Sequence, residues 1–208
     1  MSFFAGKSVI VTGSSNGIGR ETARMFAEKG TKLTITGRNA ETLKVTKDLC
    51  ITAGAKEEDI LEIVADLENE ETPAKIIDGT VKAFGGIDVL VNNAGMALAD
   101  AQGRTHMDVP LEIFDRTINV NLRSILVLTQ LAVPHLEKTK GAVVNVSSIA
   151  ALPLALKRNA YYAVTKAALD QLTTQLAGQM IKKGIRVNSV NPGVIDTDLL
   201  GKDGKNRD

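Results

Sequence analysis

The stretch Ser8-Val9-Ile10-Val11-Thr12-Gly13-Ser14-Ser15-Asn16-Gly17-Ile18-Gly19 joins an unbroken β-branched run to a turn with glycine at three spaced positions. A helical period begins at once, over Gly17 to Lys29, and Gly30 stops it. Strand, glycine turn and helix in that order open a βαβ unit. Glycine suits such a turn because the chain reverses tightly there and because a ligand can approach backbone that carries no side chain. The helix that follows offers free N–H groups and the positive end of its dipole, which together attract a pyrophosphate. At average glycine content, three fixed glycines match by accident in roughly one chain in fifteen of this length. The flanking strand and helix give the motif its meaning, and a turn that binds nothing is the competing reading.

Outward from this turn, short apolar runs alternate with longer segments of helical period. Six strands are expected: Ser8 to Thr12, Lys32 to Thr36, Ile60 to Val64, Val89 to Asn92, Ala142 to Val146 and Arg186 to Asn191. Runs such as Val9-Ile10-Val11 and Val143-Val144 have no polar alternation, as central parallel strands buried on both faces require. The further helices expected are Ala40 to Ala53 before Gly54, Thr72 to Phe84 before Gly85, and two long ones near Leu111 to Leu136 and Tyr161 to Lys183. Gly184 ends the last of them, and glycine in these places is the left-handed helix cap. The fold class is α/β, a doubly wound parallel sheet. With no internal repeat and no linker, residues 1–200 read as a single domain, and residues 201–208 as a polar, disordered tail.

Composition narrows the function. The 208 residues carry 25 Lys and Arg against 24 Asp and Glu, a net charge of +1, scattered without a basic stripe. Neither nucleic acid nor an anionic membrane is an expected partner. The apolar stretch from Ser124 to Leu136 falls short of the about 20 residues needed to cross a bilayer. The N-terminus has no leader pattern, and Cys50 is the single cysteine, so a reducing, cytoplasmic setting is expected. His106 and His135 are far apart without ligand spacing, so no metal is expected. Asn145-Val146-Ser147 fits a glycosylation acceptor but lies in an apolar strand.

Two further places carry chemistry. Thr36-Gly37-Arg38 ends the second strand about twenty residues after the glycine turn, where a dinucleotide fold meets the adenosine ribose. A carboxylate there would bond a free 2′-hydroxyl, and an arginine pairs with a 2′-phosphate, so Arg38 argues for NADP(H) over NAD(H). Asp66 and Leu67, after the third strand, are placed to meet the adenine edge with a carboxylate and an amide. Tyr162 and Lys166 are four apart and share one helical face. Lowering a phenol pKa by about three units takes about 4 kcal/mol of preference for the phenolate, which a neighbouring ammonium and a cationic nicotinamide can supply. Tyr162 can then exchange a proton with a carbonyl oxygen. Taken singly, a Tyr and a Lys at this spacing are ordinary features of an amphipathic helix.

The ordered set Thr12-Gly-x3-Gly-x-Gly19, Asn92-Asn93-Ala94-Gly95, Asn121, Ser147-Ser148, Tyr162-x3-Lys166 and Asn191-Pro192-Gly193 with Thr197 resembles the short-chain dehydrogenase/reductase family. The resemblance implies a Rossmann sheet with strand order 3-2-1-4-5-6. It implies a hydride transfer between NADP(H) and a ketone, aldehyde or secondary alcohol, with Tyr162 as acid/base, Lys166 on the nicotinamide ribose, Ser148 on the substrate oxygen and Asn121 in a water relay. Ser148 is preferred to Ser147, which is expected to bond backbone, and Asn119 is the competitor of Asn121. The cofactor would lie on Gly13, Ser15, Asn16, Gly17, Ile18 and Gly19, then on Arg38, Asp66 and Leu67, and would also meet Tyr162 and Lys166. Asn93, Ala94 and Gly95 would line its adenosine side, and Pro192, Gly193, Ile195 and Thr197 its nicotinamide side. A homodimer or homotetramer built on the two long helices is a further implication.

One departure bears on activity. Family members continue past this threonine into a substrate-covering segment and a seventh strand, which this sequence is expected to lack. That leaves enclosure of the substrate open, and with it an alternative: a non-catalytic, NADP-binding regulatory or scaffold protein of the same fold.

Overall fold

The computed structural model describes residues 2–99, 103, 108–153 and 159–195. Six strands form one sheet: β1 (Ser8–Val11), β2 (Lys32–Gly37), β3 (Ile60–Val64), β4 (Val89–Asn92), β5 (Ala142–Val146) and β6 (Arg186–Val190). Every pair is parallel, in the order β3-β2-β1-β4-β5-β6. Helices α1 (Gly17–Ala27), α2 (Ala40–Thr52), α3 (Thr72–Phe84), α4 (Leu111–Ile118), α5 (Ser124–Thr139) and α6 (Ala160–Met180) connect them. The doubly wound parallel sheet is therefore the architecture, as the apolar strands required.

Period-two alternation assigns each central strand to two cores. Ile10, Leu90, Val143 and Val187 face one way, onto Ile76 and Ile77 of α3, Leu128 and Leu136 of α5 and Leu176 of α6. Val9, Val11, Leu33, Ile35, Val89 and Val91 face the other, onto Ala23 of α1 and Leu43 and Cys50 of α2. Burying each large aliphatic side chain stabilises the fold by about 1.5–3 kcal/mol, which explains the unbroken runs Val9-Ile10-Val11 of β1 and Val89-Leu90-Val91 of β4, whereas β2 also carries Thr34 and Thr36 and β6 carries Asn188. Gly30, Gly54, Gly85 and Gly184 adopt φ of 75°, 108°, 82° and 76°, so all four helix ends turn through the left-handed region.

One element departs from expectation. The helix read from Leu111 to Leu136 is not continuous: a π-turn over Asn119–Arg123 separates α4 from α5. Tertiary bonds hold this break. Asn121 Oδ1 accepts from Met96 N at 2.8 Å, while its Nδ2 donates to Met96 O at 2.9 Å and to Thr165 Oγ1 at 3.1 Å. The extra residue in the turn lets one buried amide reach both the chain after β4 and helix α6, and such bulges recur at functional sites.

Candidate active site

In a sheet of this order the connections reverse direction between β1 and β4, and ligands bind outside the carboxyl ends of the strands at that switch. A cleft of about 470 Å³ opens there. Its first wall is the glycine turn. Gly13 has φ 65°, and a Cβ on it would lie 2.7 Å from Ala94 Cα. Gly17 has φ 52°, and a Cβ on Gly19 would strike the Gly13 carbonyl and the Asn93 amide. Helix α1 makes its first backbone bond from Arg20 N to Asn16 O, 3.1 Å, so the amides before it have no partner within the helix.

Buried hydroxyls brace this turn. Thr12 Oγ1 accepts from Asn93 N at 3.0 Å and Ala94 N at 3.1 Å, and Asn93 Nδ2 donates to Thr12 O at 2.9 Å and Gly13 O at 3.0 Å. Ser14 Oγ accepts from Thr36 N at 2.9 Å and donates to Val11 O at 2.9 Å. The Arg20 guanidinium holds Ser15 O, and its Nε reaches Thr46 Oγ1 at 3.1 Å. Ser14, Arg20 and Thr46 carried no sequence signal, because their partners lie on other elements. At the far end of this wall stand Arg38, Asp66 and Leu67. Arg38 is exposed at the end of β2, directly after Gly37, where a Cβ would strike the Ser15 hydroxyl.

The opposite wall is built from β5, α6 and the chain after β6. Ser147 and Ser148 both line the cleft, but Ser147 is buried and its Oγ donates to Lys166 O at 3.1 Å. Asn159 caps α6, accepting from Tyr162 N at 3.0 Å, so Tyr162 and Lys166 project from its first two turns into the cleft. Lys166 is 3% exposed. Its Nζ donates to Val146 O at 2.8 Å and lies 5.6 Å from the centre of the Tyr162 ring. Burial lowers the Lys166 pKa to about 8, opposed by the charge of Asp170. Burial raises the Tyr162 phenol, opposed by its hydrogen bond with Ser148. The ammonium is turned to a backbone carbonyl, and desolvation outweighs what the chain's own groups contribute.

Asn191 Nδ2 donates to Ser148 O at 3.1 Å and to Asp170 Oδ2 at 2.7 Å, and Ile149 N donates to Pro192 O at 3.0 Å. These bonds set Pro192, Gly193 and Ile195 along the cleft. Asn121 does not line it. It stands behind, with both Nδ2 hydrogens committed, while Asn119 Nδ2 turns away to Glu68 O at 3.1 Å. Thr197, His106 and the tail 201–208 lie outside the described residues. Among the described residues no group of three metal-binding side chains occurs, and no helix is long and apolar enough to cross a membrane.

A family model described as short chain dehydrogenase matches residues 7–208. The chain belongs to the short-chain dehydrogenase/reductase family. As an oxidoreductase of that family it is 39% identical, over 198 residues, to an uncharacterized oxidoreductase of Thermotoga maritima, covering 95% of this chain and 75% of the relative. A short-chain dehydrogenase/reductase of unknown function from Caenorhabditis elegans, solved with cofactor, superposes with a TM-score of 0.91 at 48% identity, over 94% of this chain and 72% of that one. Glucose dehydrogenase of the same organism, solved in the apo form, gives 0.84 and 46%, over 93% and 76%.

Proposed function

We propose that this dehydrogenase interconverts a ketone or aldehyde and the corresponding alcohol, with NADP(H) as the partner in hydride transfer and Tyr162 as the proton-exchanging group. One observation carries the reading: a single cleft holds the glycine turn and Arg38 at one end and Ser148, Tyr162 and Lys166 at the other. The residues present fit a dinucleotide, since Gly17, Ile18 and Gly19 line the cleft at the start of α1, where their amides have no partner within the helix and a pyrophosphate can receive them. The turn amides would hold the pyrophosphate, Arg38 the 2′-phosphate, Asp66 and Leu67 the adenine, Lys166 the nicotinamide ribose, and Pro192, Gly193 and Ile195 the carboxamide side. When bound, the nicotinamide supplies or accepts the hydride.

The chain's own groups handle the proton. Burial keeps the Tyr162 phenol protonated at neutral pH, so its hydroxyl is ready to donate to a carbonyl oxygen as that oxygen gains charge. The Ser148 hydroxyl, bonded to the phenol, orients the same oxygen and supports the phenolate left behind. Lys166, mainly charged below about pH 8, stabilises that phenolate and lies beside Thr165, which Asn121 holds. Asn121 thereby positions the start of a water relay that returns the proton. The reading includes a cytoplasmic setting, a small-molecule substrate and a homo-oligomer formed through α5 and α6, which expose Leu131 and Val164.

Titration with NADPH and NADH, followed by cofactor fluorescence, tests the cofactor. Wild type is expected to prefer NADPH, and Arg38→Asp to reverse the preference. Failure of a folded protein to bind either would refute the reading.

A further inference from the structure

The salt link between Arg116 and Glu68 stands behind the adenosine end of the cleft and has no part in the function described above. Arg116, on the last turn of α4, donates Nε to Glu68 Oε2 at 3.0 Å and Nη2 to Oε1 at 2.9 Å. This is the bidentate fork that fixes a carboxylate's direction as well as its charge. Glu68 also donates its amide to Asp66 Oδ1 at 3.0 Å and accepts at its carbonyl from Asn119 Nδ2 at 3.1 Å. The loop it belongs to runs beside Arg38, because Ala65 N donates to Gly37 O at 3.0 Å. The charge of Arg38 is felt at Glu68, whose carboxyl is held below its ordinary range by Arg116 first and by Arg38 in lesser part. Arg116 is acted on by Glu68 first, then by Glu112 and by Asp66. Two carboxylates, Asp66 and Glu68, therefore neighbour the end of the cleft where Arg38 would receive a 2′-phosphate, and such a phosphate adds further negative charge.

Resting on the NADP(H) reading, we propose that Arg116 is a specificity-determining residue: by pairing the Glu68 carboxylate it keeps the Arg38 end of the cleft tolerant of a 2′-phosphate. Arg116 is not among the residues lining the cleft, so it acts through Glu68 and touches no cofactor. With Arg116 in place the Glu68 carboxylate is paired, and without it Asp66 and Glu68 are left with Arg38 as their neighbouring cation. The two side chains are 42% and 27% exposed, so solvent screens the effect, and removal of the pair's cation is expected to weaken phosphate binding about two- to fivefold.

The test is titration with NADPH and NADH of wild type, Arg116→Gln, Glu68→Gln, the double variant and Arg38→Ala, at low and high salt. Arg116→Gln is expected to weaken NADPH about two- to fivefold while leaving NADH unchanged, with the difference shrinking as salt rises. Adding Glu68→Gln is expected to restore NADPH binding, which a merely structural role would not allow. Equal weakening of both cofactors, no change in either, or a double variant that remains weak would overturn the inference. Arg38→Ala separates the two levels. If it abolishes the NADPH preference while Arg116→Gln retains it, this inference alone fails. If wild type shows no preference, or Arg38→Ala keeps it, the 2′-phosphate site fails and this inference with it.

Discussion

Gly13→Ala and Gly6→Ala form a matched pair that measures how much of the glycine turn is shape. Both glycines have left-handed φ, 65° and 76°. A Cβ on Gly6 meets nothing within 4 Å, whereas one on Gly13 lies 2.7 Å from Ala94 Cα and 3.1 Å from Ala94 N. The conformational cost is about 1–2 kcal/mol at either site, partly offset by about 0.4–1 kcal/mol from the stiffer unfolded chain. Gly6→Ala should therefore cost about 1 kcal/mol. At Gly13 the neighbour is backbone, pinned by the bonds of Thr12 to Asn93 N and Ala94 N, and cannot move aside cheaply. Overpacking adds about 1–3 kcal/mol, so about 2–4 kcal/mol is expected in total. Urea unfolding gives the difference from the shift in midpoint at constant slope, and in a chain of this size each kcal/mol lowers Tm by about 2–4 °C. Equal losses at the two sites would refute the steric account of the turn.

Two further outcomes are expected. Lys166 has a folded pKa lowered from 10.5 to about 8, so between those values the unfolded chain binds more protons and stability rises with pH, by at most about 3 kcal/mol. Wild type should gain stability over Lys166→Met across that window in urea unfolding measured at several pH values, and a flat difference would contradict the burial of a charged amine. Asn121→Ala strands the buried N–H and C=O of Met96, at about 1–3 kcal/mol for each group left unsatisfied, while Thr165 keeps its bond to Tyr162 O. A loss of about 2–6 kcal/mol is expected, with faster amide exchange confined to residues 119–123. A loss under about 1 kcal/mol would mean that the π-turn does not depend on these bonds.

Most of the fold is legible in the strands. Val9-Ile10-Val11 and Val143-Val144 are apolar throughout because each face meets its own layer of helices, and that pattern admits few architectures. The glycine turn is legible for a similar reason, since its residues bond within a short span or line the cleft directly. The π-turn is not. Leu111 to Leu136 keeps a helical period, and the break comes from Met96 and Thr165, which approach Asn121 only in the folded chain. The same holds for Arg20 with Ser15 and Thr46, and for Arg116, which is 48 residues from Glu68. The state of the phenol was illegible for another reason. The four-residue spacing of Tyr162 and Lys166 gives proximity, but the direction of the ammonium depends on the Val146 carbonyl at the end of β5.

The central claim is that Tyr162 moves the proton in carbonyl reduction, and single-turnover reduction of a ketone by bound NADPH tests it in wild type and Tyr162→Phe. Wild type should oxidise the cofactor, and Tyr162→Phe should bind NADPH with unchanged affinity while the rate falls by about 10²–10⁴. A variant that binds NADPH and turns over at the wild-type rate would contradict the claim.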